Sequence, residues 1–236
     1  MTFTSYPLIE HERHLLLENR QGLLVIDTCS PVSFHEDGII ELGDCKMDVS
    51  ESVFGMVDSH YLSKNIGTKI KGLLGMDFMG KHTTFFNTQR FGGFVSFEDE
   101  RDPGRDALDR FSVGGCPGIV MMVNGRHARM LVDSGANLSY IDEKFVMDAP
   151  SAGQKKDFSP MFGVGVFTVD TYEIPCHIGC GNEIDKDLQL VFGLPPIQIG
   201  SLLRNNNVDG IIGYDLFKNF RISLLKGQVA FPPQGI

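Results

Sequence analysis

LLVIDTCS, residues 23–30, and MLVDSGA, residues 130–136, are the two stretches that decide the fold. In both, an apolar run ends at an aspartate that is followed by a hydroxyl residue and then by small residues. A buried strand that carries an aspartate into a tight turn has this pattern. Because the pattern occurs twice, it predicts a repeated strand-and-turn unit.

The sequence on either side of the two aspartates also repeats. Upstream, HLLLENRQG (residues 14–22) parallels IVMMVNGR (residues 119–126), whose Asn-Gly pair is a strong hairpin signal. Downstream, IKGLLGMDFM (residues 70–79) parallels VDGIIGYDLF (residues 208–217). The chain therefore contains an internal duplication of a unit of about 100 residues, the size of a small domain.

These motifs resemble those of a known family. The Asp-Thr-Cys-Ser and Asp-Ser-Gly-Ala turns resemble the catalytic Asp-Thr/Ser-Gly turns of aspartic peptidases, and residues 72–77 and 210–215 are similar to the segment that crosses behind that turn. The resemblance is to retropepsin-like peptidases joined in tandem, as in a small two-lobed pepsin. It implies an all-β, two-lobed pepsin/retropepsin-like acid protease barrel fold with pseudo-twofold symmetry.

The same resemblance suggests boundaries for the two lobes. Residues 1–100 are expected to form the N-terminal retropepsin-like lobe and residues 111–236 the C-terminal one. Residues 101–110 are expected to link them, since the charged run around Pro103-Gly104 is typical of a linker. Alternating β-branched and aromatic residues elsewhere, for example in residues 39–42 and 46–49, predict a mostly β chain. Residues 139–146 are instead expected to form a short helix capped by Asn137 or Ser139.

The resemblance implies an aspartic endopeptidase with Asp27 and Asp133 as its catalytic pair. Two adjacent carboxyl groups cannot both ionise, so they share a proton and supply both the base and the acid that peptide hydrolysis needs. By the same resemblance, the hydroxyls of Thr28 and Ser134 tie each turn to the opposite one. Gly135 lets the backbone pass close to the carboxylates.

A peptide or protein substrate is expected to lie extended along the cleft, covered by a hairpin flap. Our candidate for the flap is the glycine-punctuated run of residues 162–168, with substrate contacts from Phe162, Gly163, Val164 and Gly165. Asp27 and Gly75 are 48 positions apart (75 − 27), whereas Asp133 and Gly213 are 80 apart (213 − 133). The first lobe is therefore expected to lack a flap.

One residue departs from the family pattern and leaves other functions open. Cys29 stands where the first turn would carry glycine, so its side chain is expected near the catalytic pair, most simply as a buried, inert thiol. One alternative is a catalytically silent protein that binds peptides or a partner. A second is a homodimeric protease that uses only Asp133. A third interpretation is that both aspartates simply cap turns.

Composition and charge narrow the classes of protein to which this chain could belong. The formal charge of −9, with dispersed Lys and Arg, disfavours nucleic-acid binding, and no run approaches the roughly 18 apolar residues of a membrane span. The first residues lack the features of a secretory signal, and five cysteines without a framework spacing are typical of reduced thiols. We therefore predict a cytoplasmic monomer or homodimer.

The sequence gives weaker evidence for sites at its other cysteine and histidine residues. Cys176, His177 and Cys180 suggest metal ligands, but a second ligand pair is missing, so we predict no metal and no cofactor. His11 and His14 lie on a predicted strand and are expected to face solvent.

Overall fold

The computed structural model describes residues 4–53, 55–88, 93–98, 110–159, 165–180, 184–225 and 228–232. Among these residues, 56% lie in strands and 15% in helices, which confirms the prediction of a mostly β chain. In this part of the chain no helix combines the length and the apolar character needed to cross a membrane.

The first half of the chain builds most of a nine-stranded sheet in the order β21-β20-β10-β11-β1-β2-β3-β9-β4. Two small two-stranded hairpins, β5-β6 and β7-β8, lie outside it. The strands of this half are β1 (Thr4–His11), β2 (His14–Asn19), β3 (Gly22–Ile26), β4 (Phe34–His35), β5 (Ile39–Leu42), β6 (Cys45–Asp48), β7 (Ser52–Val53), β8 (Val57–Asp58), β9 (Ile70–Leu74), β10 (Thr83–Asn87) and β11 (Phe94–Glu98). Its helices are α1 (Ser59–Ile66) and α2 (Met76–Met79).

The second half forms an eight-stranded sheet in the order β12-β13-β14-β19-β15-β18-β17-β16, with β13 also paired to β17. Its strands are β12 (Arg110–Val113), β13 (Cys116–Val123), β14 (Arg126–Val132), β15 (Ser139–Ile141), β16 (Ser151–Ser159), β17 (Gly165–Cys180), β18 (Ile184–Gly193), β19 (Gly210–Ile212), β20 (Ile222–Leu225) and β21 (Gln228–Ala230). Its helices are a short 3₁₀ helix (Glu143–Phe145), α3 (Ile197–Asn205) and α4 (Tyr214–Asn219).

The two halves repeat the same arrangement around the aspartates. Strand β3 ends directly before Asp27 and runs parallel to β9, while β14 ends directly before Asp133 and runs parallel to β19. On its other side, β9 pairs antiparallel with β4, and β19 pairs antiparallel with β15. The duplication seen in the sequence is therefore a duplication of strand pairing and register.

The halves also share one sheet and one core. Strand β20 pairs antiparallel with β10, which places Thr84 opposite Leu224. The Phe86 and Phe217 rings meet edge to face with their centroids 5.1 Å apart. The largest apolar cluster contains buried residues from both halves, so neither half encloses that core alone.

Two local expectations have different outcomes. The strands predicted around Gly43 are confirmed as β5 and β6. Residues 139–146, which we expected to form a short helix capped by Asn137 or Ser139, instead form β15 and a 3₁₀ helix capped by Asp142. The expectation is wrong because β15 pairs with β18 and β19, and these tertiary partners override the local sequence preference.

Paired glycines let the neighbouring strands approach closely. A side-chain carbon at Gly72 would overlap the Phe34 carbonyl oxygen, and one at Gly210 would overlap the Tyr140 carbonyl oxygen. Phe34 and Tyr140 occupy equivalent positions, since both pair with the crossing strand of their own half. These contacts explain why glycine precedes the apolar pair in both copies.

We expect Gly210→Ala to lower the free energy of unfolding by about 1–3 kcal/mol, because the added methyl group meets backbone that cannot rotate away. Gly200→Ala in α3 is the matched control: its methyl group would lie 3.3 Å from the end of the flexible Arg204 side chain. Alanine also favours a helix by up to about 1 kcal/mol relative to glycine. Urea unfolding measures both variants, and equal losses would contradict this interpretation.

Candidate active site

Asp27 and Asp133 lie together where the two halves meet. A side-chain carbon built on Gly135 would lie 2.7 Å from Asp27 Cγ and 3.2 Å from Asp133 Oδ1, so both carboxyl groups contact this one glycine. The two carboxyl groups are close enough for each to alter the pKa of the other. Both residues are only partly buried, which leaves them within reach of solvent.

A reciprocal set of hydrogen bonds joins the two turns. Thr28 Oγ1 donates to the Val132 carbonyl (2.6 Å) and accepts from the Ser134 N–H (2.9 Å). Ser134 Oγ donates to the Ile26 carbonyl (2.7 Å) and accepts from the Thr28 N–H (3.1 Å). Both hydroxyl residues have no exposed surface. The hydroxyl contacts implied by the family resemblance are therefore present.

Each turn also supplies N–H donors to its own aspartate. Asp27 Oδ1 accepts from the backbone N–H groups of Cys29 and Ser30, each at 2.8 Å. Asp133 Oδ1 accepts from the Gly135 N–H at 2.9 Å. Aspartates favour such turns because their short side chains reach the backbone two or three residues on.

Burial is the main influence on the charge of the pair. It raises the pKa of both carboxyl groups, and the neighbouring Asp27 charge raises the pKa of Asp133 further. The N–H donors act in the opposite direction, because they stabilise the ionised form. The pair therefore holds a proton at a pH where an isolated aspartate would have lost it, and it titrates as a unit.

A buried serine fixes the crossing segment behind each turn. The Gly75 N–H donates to Ser33 Oγ (2.9 Å), and the Gly213 N–H donates to Ser139 Oγ (3.1 Å). Our sequence reasoning missed both serines. The signal was present, since each stands six positions after its aspartate (33 − 27 and 139 − 133).

Cys29 is not the free, inert thiol that we expected. It forms a disulfide with Cys116, whose Cα atom is 4.4 Å away although the two residues are 87 positions apart. The expectation of reduced thiols is wrong for this pair, because the fold brings distant residues within bridging distance and sequence spacing cannot show this. Among the described residues, Cys45 and Cys176 are free. The Cys29 backbone N–H still donates to Asp27.

His14 was expected to face solvent, and the structure contradicts this. Only 3% of the residue is exposed, and its ring packs against that of Phe158 from the second half. The hairpin tip beside it is anchored by Arg13, whose guanidinium donates to Asp215 Oδ2 and to the Asn137 carbonyl, each at 2.7 Å. The first half therefore reaches over the second turn at this point.

A long hairpin, β16-β17, lies where we expected the flap. Its last described pair is Ser159 with Gly165, the first residue of β17. Of the predicted contact residues, Phe162, Gly163 and Val164 lie outside the described residues. Phe158 extends from this hairpin to the first half, where its ring centroid is 5.8 Å from that of His14 and 6.2 Å from that of Tyr61.

The first half has no hairpin of comparable length among its described residues. Its β5-β6 hairpin buries Ile40 and Leu42 in the main apolar cluster, so this hairpin packs against the core.

The chain matches no protein-family model and no curated protein sequence. The site must therefore be interpreted from its own geometry. No group of three or more histidine, cysteine or acidic residues able to hold a metal ion occurs in the described ranges. His177, one of the weak candidate ligands, instead pairs with Asp185 (3.4 Å) and Asp187 (2.9 Å).

We expect Thr28→Val to lower the free energy of unfolding by about 2 kcal/mol or more, because it leaves the buried Ser134 N–H and Val132 carbonyl without their partner. Thr28→Ser keeps the hydroxyl and should cost only about 1 kcal/mol for the lost methyl group. Chemical denaturation compares the two variants. Equal losses would show that the hydroxyl is not what holds the turns together.

We expect Cys116→Ser to lower stability by about 4 kcal/mol under oxidising conditions, because a cross-link that closes a long loop restricts the unfolded chain. A thiol reductant should lower the melting temperature of the wild type and remove most of the difference in melting temperature between the wild type and Cys116→Ser. Cys45→Ser is the control and should respond to the reductant as the wild type does. A wild-type melting temperature that is insensitive to reductant would contradict the cross-link.

Proposed function

We propose that this protein is an aspartic endopeptidase that hydrolyses peptide bonds with a water molecule held between Asp27 and Asp133. The observation that carries the proposal is the reciprocal hydroxyl exchange of Thr28 and Ser134, which brings the two carboxyl groups together. A pair of aspartates that only capped turns would not need a buried contact between the turns.

The repeated strand pairing supports a two-lobed pepsin/retropepsin-like fold with pseudo-twofold symmetry. The Asp27 N–H donates to the Leu74 carbonyl, and the Asp133 N–H donates to the Ile212 carbonyl, both at 3.0 Å. The Met76 N–H donates to the Ser30 carbonyl, and the Tyr214 N–H donates to the Ala136 carbonyl. In the proposed fold, an approximate twofold axis between the turns would relate these pairs of contacts.

The chemistry follows from a shared proton. The ionised carboxyl group accepts a proton from the water as the water oxygen attacks the substrate carbonyl carbon, while the protonated carboxyl group donates to the carbonyl oxygen. In the resulting tetrahedral intermediate, the carboxyl group that took the water proton donates it to the amide nitrogen, and a hydroxyl group of the intermediate returns its proton to the other carboxylate as the C–N bond breaks. The products are an acid and an amine, and the pair returns to its monoprotonated state.

The substrate in this proposal is an extended stretch of polypeptide beneath the β16-β17 hairpin. Extended peptides bind through backbone hydrogen bonds, and a flap that closes over them excludes water. The Phe158 contacts with His14 and Tyr61 join this hairpin to the first half, which is consistent with a position over a cleft between the halves. A second hairpin over the first half is not required.

The arrangement favours catalysis within one chain over catalysis in a homodimer. The partner of Asp133 is Asp27 of the same chain. The donor and the acceptor of each hydrogen bond between the turns also belong to that chain. A homodimer that used only Asp133 would have to break these buried contacts.

We expect Asp27→Asn and Asp133→Asn each to reduce cleavage of an unfolded protein substrate by about 10²–10⁴-fold, since each removes a group that transfers protons. Asp48→Asn, at an exposed position, is the matched control. Mass spectrometry of the products between pH 3 and pH 8, with and without pepstatin, provides the measurement.

The outcomes separate the competing functions. Undiminished cleavage in both aspartate variants would sink the proposal. Loss of activity in Asp133→Asn alone would favour a homodimeric protease. A folded wild type that binds peptides but never cleaves them would favour a silent binding protein.

A further inference from the structure

Two hairpin tips occupy equivalent places in the duplicated fold but carry different residues. The β1-β2 turn consists of Glu12 and Arg13, and the equivalent β12-β13 turn consists of Gly114 and Gly115. All four residues have positive φ angles. Such turns usually take glycine or asparagine, because most side chains are strained in this conformation. Arg13, with a φ of 65°, therefore occupies a position that the second copy gives to glycine.

The Arg13 side chain makes contacts that offset this strain. Its Nε donates to the Asn137 carbonyl and its Nη2 donates to Asp215 Oδ2, each at 2.7 Å. The guanidinium also lies over the Tyr214 ring, with Cζ 4.9 Å from the ring centroid. Asn137 stands at the end of the turn that begins at Asp133, whereas Tyr214 and Asp215 follow the crossing strand β19. One side chain of the first half therefore joins the second turn to the segment behind it.

The equivalent aspartate of the first half has a different partner. Asp77 occupies the place of Asp215 in the repeated crossing segment, and it accepts from the N–H and the hydroxyl of Ser33 in its own half. Asp215 instead accepts from Arg13 of the other half. The Asp215 side chain is only 14% exposed, so solvent can replace little of this contact. The second copy thus uses this aspartate to hold the opposite hairpin tip.

The turn that Arg13 holds carries the backbone closest to the catalytic pair. The Gly135 N–H donates to Asp133 Oδ1 at 2.9 Å, and Gly135 also lies against the carboxyl group of the first half. The hydroxyl exchange between the turns fixes Ser134, and Arg13 fixes Asn137. Gly135 therefore lies between two anchored residues. If one anchor is lost, the Gly135 N–H can move away from the carboxylate that it stabilises.

We propose that Arg13 is a positioning residue for the hydrolysis: by binding Asn137 and Asp215 together, it keeps the second turn in the geometry that the reaction needs. This inference rests on the proposed function, because it assigns a support to the same site. The contacts of Arg13 exist whether or not the chain cleaves peptides.

The first test replaces Arg13 by glycine, the residue at the equivalent place in the second tip. Arg13→Gly should lower kcat by about tenfold with little change in KM, because the pair loses alignment while the surface that binds substrate remains. Its melting temperature should fall by only a few degrees, since glycine relieves the strain at positive φ. Glu12→Gly relieves the neighbouring strain and keeps the guanidinium, so this matched control should retain the wild-type kcat.

Arg13→Lys separates geometry from charge. Lysine keeps the positive charge, but it lacks the planar group with which arginine donates to the Asn137 carbonyl and to Asp215 together. We therefore expect the kcat of Arg13→Lys to lie between those of Arg13→Gly and the wild type. A wild-type kcat in either variant would overturn the positioning role. A rise in KM alone would also overturn it, because this result would indicate contact with substrate.

A second readout does not depend on activity. Amide hydrogen exchange followed by NMR measures local opening. In Arg13→Gly, the N–H groups of Gly135 and Tyr214 should exchange at least about tenfold faster than in the wild type and in Glu12→Gly, because the turn and the crossing segment lose their common support. If the wild type is inert but this change occurs, the proposed function fails and the role of Arg13 in holding the turn stands. If exchange is unchanged in a folded Arg13→Gly variant, the role of Arg13 fails.

Nitrogen NMR of the wild type covers the case in which Arg13→Gly does not fold. The proposal requires the Nε–H of Arg13 to donate to the Asn137 carbonyl, so this proton should exchange slowly with solvent. The exposed Arg20 provides the comparison within the same spectrum. An Arg13 Nε–H that exchanges as fast as that of Arg20 would overturn the proposal.

Discussion

Everything at the seam between the halves depends on four buried hydrogen bonds between Thr28 and Ser134 and the strands beside them. A buried hydroxyl or backbone N–H without a partner costs free energy comparable to several ordinary contacts. Here each group finds its partner only in the other half, since both side chains are sealed from solvent. The separation of the two aspartates is therefore fixed by hydrogen bonding as well as by apolar packing.

The duplicated halves keep the backbone arrangement and differ in the side chains placed on it. Gly72 and Gly210, Ser33 and Ser139, and the two aspartates perform the same tasks in both copies. The residue two positions after each aspartate differs, by contrast: Cys29 forms a disulfide with Cys116, whereas Gly135 lies against both carboxyl groups. Close backbone approach leaves little choice of residue, whereas the position that Cys29 occupies has room for a side chain.

The parts of this structure that sequence can predict are those whose signal is local. An apolar run that ends at an aspartate, an Asn-Gly turn and a glycine before two apolar residues each report on a few neighbouring positions. Because the first and the last of these signals occur twice, the duplication and the ends of strands β3 and β14 follow from the sequence alone.

The errors have a common cause. Cys29, His14 and the segment around Ser139 were interpreted from their neighbours in sequence, but their environments come from residues far along the chain. Strand β2 shows the difficulty directly: its first four residues are all buried, so it lacks the alternation that would reveal an inward-facing His14.

The pairing of β20 with β10 has a consequence for biosynthesis. The edge of β10 stays open until residues 222–225 have emerged from the ribosome, since those residues supply its neighbour. The core shared by both halves is likewise incomplete until then, because Phe217, Phe220 and Ile222 belong to it. A nascent chain has thus already released both aspartates before the core that supports them can close, which ties the assembly of the pair to the synthesis of residues 217–225.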